Sequence, residues 1–110
     1  MALIILNSLI ISTLAPTNIP VAFLKYTGGA TTYITFFEYN QQGSLFADDI
    51  EQNTRHSLQV DVWSKDDYVA MVEQVKDLLK PIGFRRNFET EFYEDDTQTY
   101  HKVMRFYFTH

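Results

Sequence analysis

Few residues in this chain have chemistry to offer. Three histidines, His56, His101 and His110, are scattered along it, and none has the spacing of a zinc-binding helix or a triad neighbourhood. His56 and His101 fall at or near strand starts, where an imidazole serves as a surface or hydrogen-bonded group; His110 is the last residue. Two acidic clusters, Asp48-Asp49-Glu51 and Glu94-Asp95-Asp96, carry enough oxygen for a divalent cation. Neither has the Asp-x-Asp-x-Asp-Gly order with a closing Glu, so they read as solvated loop charge or as a patch facing a lumen or a partner. A glycosidase-type carboxylate pair would need a cleft that no pattern announces. Thr27-Gly28-Gly29-Ala30 is a turn and not a phosphate loop, because no helix with the required glycine spacing follows it. With no cysteine there is no thiol nucleophile, disulfide or thiolate metal site. These residues specify no catalytic set, no cofactor and no metal, and the expected role is not enzymatic.

The elements that would position such residues alternate between two periods. Met1 to Leu14 (MALIILNSLIISTL) places Leu3, Leu6, Ile10 and Leu14 on one helical stripe. No Lys or Arg precedes Lys25, against a signal peptide, and Asn7, Ser8 and Ser12 interrupt a run too short for a membrane span. The reading is an N-terminal helix over residues 1–15, packed on a sheet and stopped by Pro16 and Pro20. Ile5, Leu9 and Ile11 lie off the stripe, so more than one side of this helix expects cover.

Val21 to Tyr26 and Thr31 to Tyr39 read as strands of a hairpin. Asn40 to Asn53 reads as a long acidic loop, and Leu45, Phe46 and Ile50 within it need a cover. From Arg55 to Trp63 the alternation is clean, with Leu58, Val60 and Val62 on one side and Ser57, Gln59 and Asp61 on the other. Ser64-Lys65-Asp66-Asp67 resembles a capping box. It precedes a helix to about Lys80, whose apolar face is Tyr68, Val69, Val72, Val75, Leu78 and Leu79, with Met71 at its edge. Asp67, Glu73, Lys76 and Asp77 fall on the solvated side, and Pro81 and Gly83 close the helix. Phe84 to Tyr93 and Thr99 to Thr109 form a second hairpin. Phe84, Phe88 and Phe92 share one face of the first strand; Met104, Phe106 and Phe108 share one face of the second. The order is α-β-β-β-α-β-β: one α+β domain spanning residues 1–110, an antiparallel sheet with helices on one face.

Composition bounds the function. The chain has 110 residues, 45% of them apolar, and a formal charge of −5, which disfavours a dedicated binder of nucleic acid. Nine Phe, seven Tyr and one Trp are more rings than one small core can hide, so some should be exposed until sister chains cover them. The strand Thr32 to Tyr39 is aromatic like an RNA-binding sheet but lacks the Gly and basic context, so core and subunit packing is its better use.

In order along the chain, Thr32-Tyr33-Ile34-Thr35-Phe36, Glu38-Tyr39-Asn40, Phe46-Ala47-Asp48-Asp49 and Leu58-Gln59-Val60-Asp61-Val62-Trp63-Ser64 are followed by the amphipathic helix. Gly83-Phe84, Tyr100-His101-Lys102 and Arg105-Phe106 complete the series. This series, from about Ile19 to Phe108, resembles the tail completion, or tail-to-head joining, proteins of long-tailed phages and prophages of Gram-positive hosts. The resemblance implies a structural virion protein of the tail and neck region, made in the host cytoplasm. It would form a ring, usually of six copies, on the head-proximal end of the tail tube, end tail polymerisation and dock onto the head connector. DNA would pass through the channel without specific binding, and no membrane is involved. Leu45, Phe46, Asp48, Asp49, Ile50 and Glu51 are the candidate channel or subunit-contact residues. A small ligand- or peptide-binding module using an aromatic sheet face is the alternative.

Overall fold

The structure, a computed structural model, describes residues 2–43 and 54–109, with side chains described for residues 7–39 and 57–108. Helix α1 (Ala2–Leu14) leads through a 3-10 turn at Ala15–Thr17 into strand β1 (Val21–Phe23), then β2 (Tyr33–Gly43) and β3 (Thr54–Ser64). Helix α2 (Val69–Leu79) follows, then β4 (Arg85–Glu94) and β5 (Thr99–Thr109). The five strands form one sheet in the order β1-β2-β3-β5-β4. The expected element order and α+β class are therefore observed.

The core lies between the helices and one face of the sheet. Leu58, Val60 and Val62 of β3 are buried with Ile34 and Phe36 of β2 and Met104 and Phe106 of β5, under Val72, Val75 and Leu79 of α2 and Ile10 and Leu14 of α1. Period-two alternation supplies the sheet side and period 3.6 the helix side, which is why these residues meet. The α1 stripe is thus buried at Ile10 and Leu14, while Ile11 on its far side is 43% exposed. Among the described residues no helix is long and apolar enough to cross a membrane. The expected C-terminal stop of α2 also forms: Gly83 adopts a left-handed φ of 106°, and its amide donates to the Lys80 carbonyl.

Several local expectations are corrected. Strand β1 pairs with β2 in parallel, not as a hairpin: Val21, Ala22 and Phe23 stand opposite Ile34, Thr35 and Phe36. The cause is Leu24, whose φ of 66° turns the chain out of the sheet. The Lys25 amide donates back to the Phe23 carbonyl at 2.7 Å, and the following residues return to the start of β2. The strand expected to reach Tyr26 therefore ends at Phe23. In the return segment the Ala30 amide donates to the Tyr26 hydroxyl, and Gly28 lies under that ring where a Cβ would collide. Residues 40–43 of the expected loop belong instead to β2, with Gln42 and Gly43 opposite Arg55 and Thr54, and the rest of that segment lies outside the described residues.

The capping box does not form. Ser64 stays in β3, fully buried, and accepts the Asp66 amide, while the Asp67 carboxylate accepts the Val69 amide and starts α2. Val69 is 62% exposed, outside the apolar face, because the buried centre runs through Tyr68, Val72, Val75 and Leu79. Phe84, Phe88 and Phe92 do not share a face. A bulge between Arg86 and Phe88 inserts one residue, so Phe84 enters the core while Phe88 and Phe92 point to the other side of the sheet.

That bulge also turns two acids to the helix side, Glu89 partly buried and Glu91 exposed. Glu89 and Glu91 stand opposite Met104 and Lys102 on the helix-covered face. Lys76, expected to be solvated, reaches down from α2 and donates to Glu89 at 3.0 Å; Lys102 reaches the same carboxylate at 2.7 Å and Arg86 at 2.7 Å. The Lys102 ammonium, with Lys76, holds the Glu89 carboxyl down to about 2 against the opposing effect of burial. Beside it the Tyr68 hydroxyl donates to Glu91 at 2.7 Å, and burial together with that carboxylate pushes its proton affinity well above the ordinary value. The cluster ties α2 to the β4–β5 hairpin.

Candidate functional site

Both helices lie on one side of the sheet, so the other side has only what its own strands provide. Its composition follows from the register. Tyr33 of β2, Trp63 of β3, His101 of β5 and Phe92 of β4 stand in one cross-strand row. Thr35, Asp61, Val103 and Thr90 form the next, and Phe37, Gln59, Arg105 and Phe88 the third. Tyr39, Ser57 and Tyr107 continue the pattern.

The first row is a ladder of rings. Tyr26 stacks on Tyr33 with centroids 4.5 Å apart, Tyr33 on Trp63 at 5.9 Å, and Trp63 on His101 at 3.6 Å; Phe92 lies 6.0 Å beyond. The Trp63 indole N–H donates to Thr35 Oγ1 at 3.0 Å, which fixes the orientation of the ring. Next to the ladder runs a polar chain. Arg105 donates through Nε to Gln59 Oε1 at 3.1 Å, and Gln59 donates through Nε2 to Asp61 Oδ1 at 2.9 Å. The Arg105 guanidinium also lies over the rings of Tyr39 and Phe88, at 4.9 and 5.5 Å.

His101 sits where the ladder and the polar chain cross. Its Nε2 is 3.1 Å from Asp61 Oδ2, outside hydrogen-bond geometry, and its Nδ1 is 3.4 Å from Glu94 Oε2. The carboxylates approach opposite edges of the imidazole and so flank it; they do not converge on a common point where an ion would sit. Among the described residues no group of three or more His, Asp or Glu side chains could hold a metal ion. The chemistry of this face is packing and hydrogen bonding. It offers flat rings, a few anchored polar groups and the spread cation of Arg105.

Exposure follows the same division. Among the described aromatic side chains only Phe36, Tyr68, Phe84 and Phe106 are buried. Phe88 is 47% and Phe92 54% exposed, and Phe23, Tyr93 and Tyr100 are exposed at the sheet margins. The expectation that one chain cannot hide its rings is met. A separate groove of about 530 Å³ between the end of α2 and the start of β4 is lined by Lys76, Lys80, Arg85 and Arg86 together with Glu73 and Asp77.

The candidate residues Leu45, Phe46, Asp48, Asp49, Ile50 and Glu51 lie outside the described residues. The ladder was not among the sequence-level candidates. Its signal was the odd-numbered side of β3 and β5, where Trp63 and His101 fall, but their meeting depends on register between strands distant in sequence.

No protein-family model matches the chain, and no curated protein matches its sequence. A solved chain from the virion of a native gene transfer agent particle has a similar fold, with a TM-score of 0.55 over 91% of this chain and 82% of that one. The two are 10% identical, so the likeness is one of fold.

Proposed function

We propose that the chain is a structural component of a phage-like virion. Its copies form a ring at the head-proximal end of the tail tube, end tail polymerisation and join the tail to the head connector, with no chemical turnover. The observation that carries this reading is the open face of the sheet, where rows of half-buried rings and anchored polar groups lie uncovered by either helix. Such a surface is completed by other chains. The likeness of fold to a chain of a virion particle and the order of motifs along the sequence support the same assignment. The negative charge suits a channel wall that repels DNA phosphate and lets a genome slide past. Asp48, Asp49 and Glu51 are the residues we assign to that wall or to a neighbour contact.

The test is the assembly state, by mass measurement of the free chain and by imaging of particles that contain it. A closed ring supports the reading. A chain that stays monomeric at every concentration and in the particle contradicts it. That outcome would favour a small ligand- or peptide-binding module, for which the ring ladder from Tyr26 to Phe92 is the specific support.

A further inference from the structure

Leu24 is anomalous twice over. Its backbone sits in the left-handed region, φ 66°, which a branched aliphatic residue adopts only at a cost that glycine or asparagine would largely avoid. Its side chain, so placed, is 60% exposed, beside Phe23 at 39%. Two backbone bonds hold the conformation: the Leu24 amide donates to the Phe36 carbonyl at 2.8 Å and the Lys25 amide to the Phe23 carbonyl. Within one chain the fold thus has a strained backbone whose effect is to hold an apolar side chain in water. Strain of this kind clusters where function makes use of it, at ligand clamps and switch regions among others.

The opposite edge of the sheet carries a matching surface. Where β4 and β5 meet their turn, Phe92, Tyr93 and Tyr100 are 54%, 49% and 43% exposed, and the two tyrosine rings meet edge to face at 4.9 Å. Glu94, Asp95 and Asp96 follow directly in sequence, while Lys25 follows Leu24. One edge therefore offers an apolar knob with a cation beside it, and the far edge an aromatic surface with acids beside it. β1 and β4 are the two outer strands of one sheet. Two different, complementary patches on opposite edges make a head-to-tail contact, the kind that repeats into a ring.

We infer that Leu24 and Phe23 of one copy seat against Tyr93 and Tyr100 of the next, with Lys25 facing the acidic turn. This contact rests on the ring proposed above and specifies how its copies join. The decisive variant is Leu24→Gly. Glycine accepts the left-handed backbone, so the folded monomer should be as stable as the original or more so, while the knob is gone. The ring's dissociation constant, read by mass over a concentration series, should rise by about tenfold or more. Tyr93→Ser with Tyr100→Ser should have the same effect from the other side. Mixed together, the knobless and socketless chains keep one intact patch each and should form dimers of one copy of each, and nothing larger. Rings of unchanged strength from Leu24→Gly would overturn the contact while leaving the ring itself in place. An unmodified chain that never associates, free or in particles, would instead overturn the ring on which this contact rests.

Discussion

The two faces of this sheet are made by the same strands and behave as different materials. On the helix side Val60, Val62 and Met104 are fully buried, and the acids that reach that side, Glu89 and Glu91, are met by Lys76, Lys102 and the Tyr68 hydroxyl. On the open side the rings of Tyr33, Trp63, His101 and Phe92 stack along one row and remain partly buried or exposed. The first face is complete within one chain except at its margins, where Phe23, Tyr93 and Tyr100 are exposed. The second stacks without closing, and the difference separates what folds the monomer from what remains for assembly.

Substitutions should respect that division. The largest effect belongs to Val72→Asp, which would bury an unpaired charge against Val60 and Met104's layer; a loss of about 3 kcal/mol or more is expected in denaturant unfolding. An unfolding midpoint close to that of the unmodified chain would mean that α2 is turned differently on the sheet.

Glu89→Gln keeps the shape of the cluster and removes the charge that Lys76, Lys102 and Arg86 share. A loss of about 1–2 kcal/mol at neutral pH should follow. Because the folded carboxyl is held down to about 2 from an ordinary 4.5, its contribution is fully present above about pH 4.5 and declines as the pH falls towards 2. The unmodified chain should therefore lose stability over that window, and Glu89→Gln should lose distinctly less. Parallel acid limbs for the two proteins would show that the cluster does not couple to folding.

The smallest monomer effect is expected on the open face. Phe88→Ser removes an exposed ring under Arg105 and should move the unfolding free energy by about 0.5 kcal/mol at most. Association should nevertheless weaken, which a sedimentation series on the same variant would show. A large loss of monomer stability would erase the distinction between the faces.

Much of the helix-covered face was legible in the sequence because its signals are local. The alternation of Leu58, Val60 and Val62, the spacing of Val72, Val75 and Leu79, and Gly83 after Pro81 each fix an element without reference to the rest of the chain. What escaped depends on single residues or on distant pairing. One left-handed residue, Leu24, reverses β1 from antiparallel to parallel. One extra residue in β4 moves Phe88 and Phe92 away from Phe84's face and turns Glu89 inward. Asp67, one turn after the expected cap, sets where α2 begins. The ladder was hidden for the same reason. Tyr33, Trp63, His101 and Phe92 are neighbours only through the register of four strands, and periodicity within a strand carries no information about its partner.

The central claim is that the open face is finished by another copy. Hydroxyl-radical footprinting of the chain across a concentration series, with mass measured on the same samples and on particles, tests it most directly. Val69, 62% exposed on the opposite side, is the internal reference. As mass rises from one subunit to a closed ring, labelling of Trp63, Phe88 and Phe92 should fall while Val69 stays as reactive as in the monomer. A ring that leaves those three as reactive as in the monomer, or a mass that never exceeds one subunit, would contradict the account.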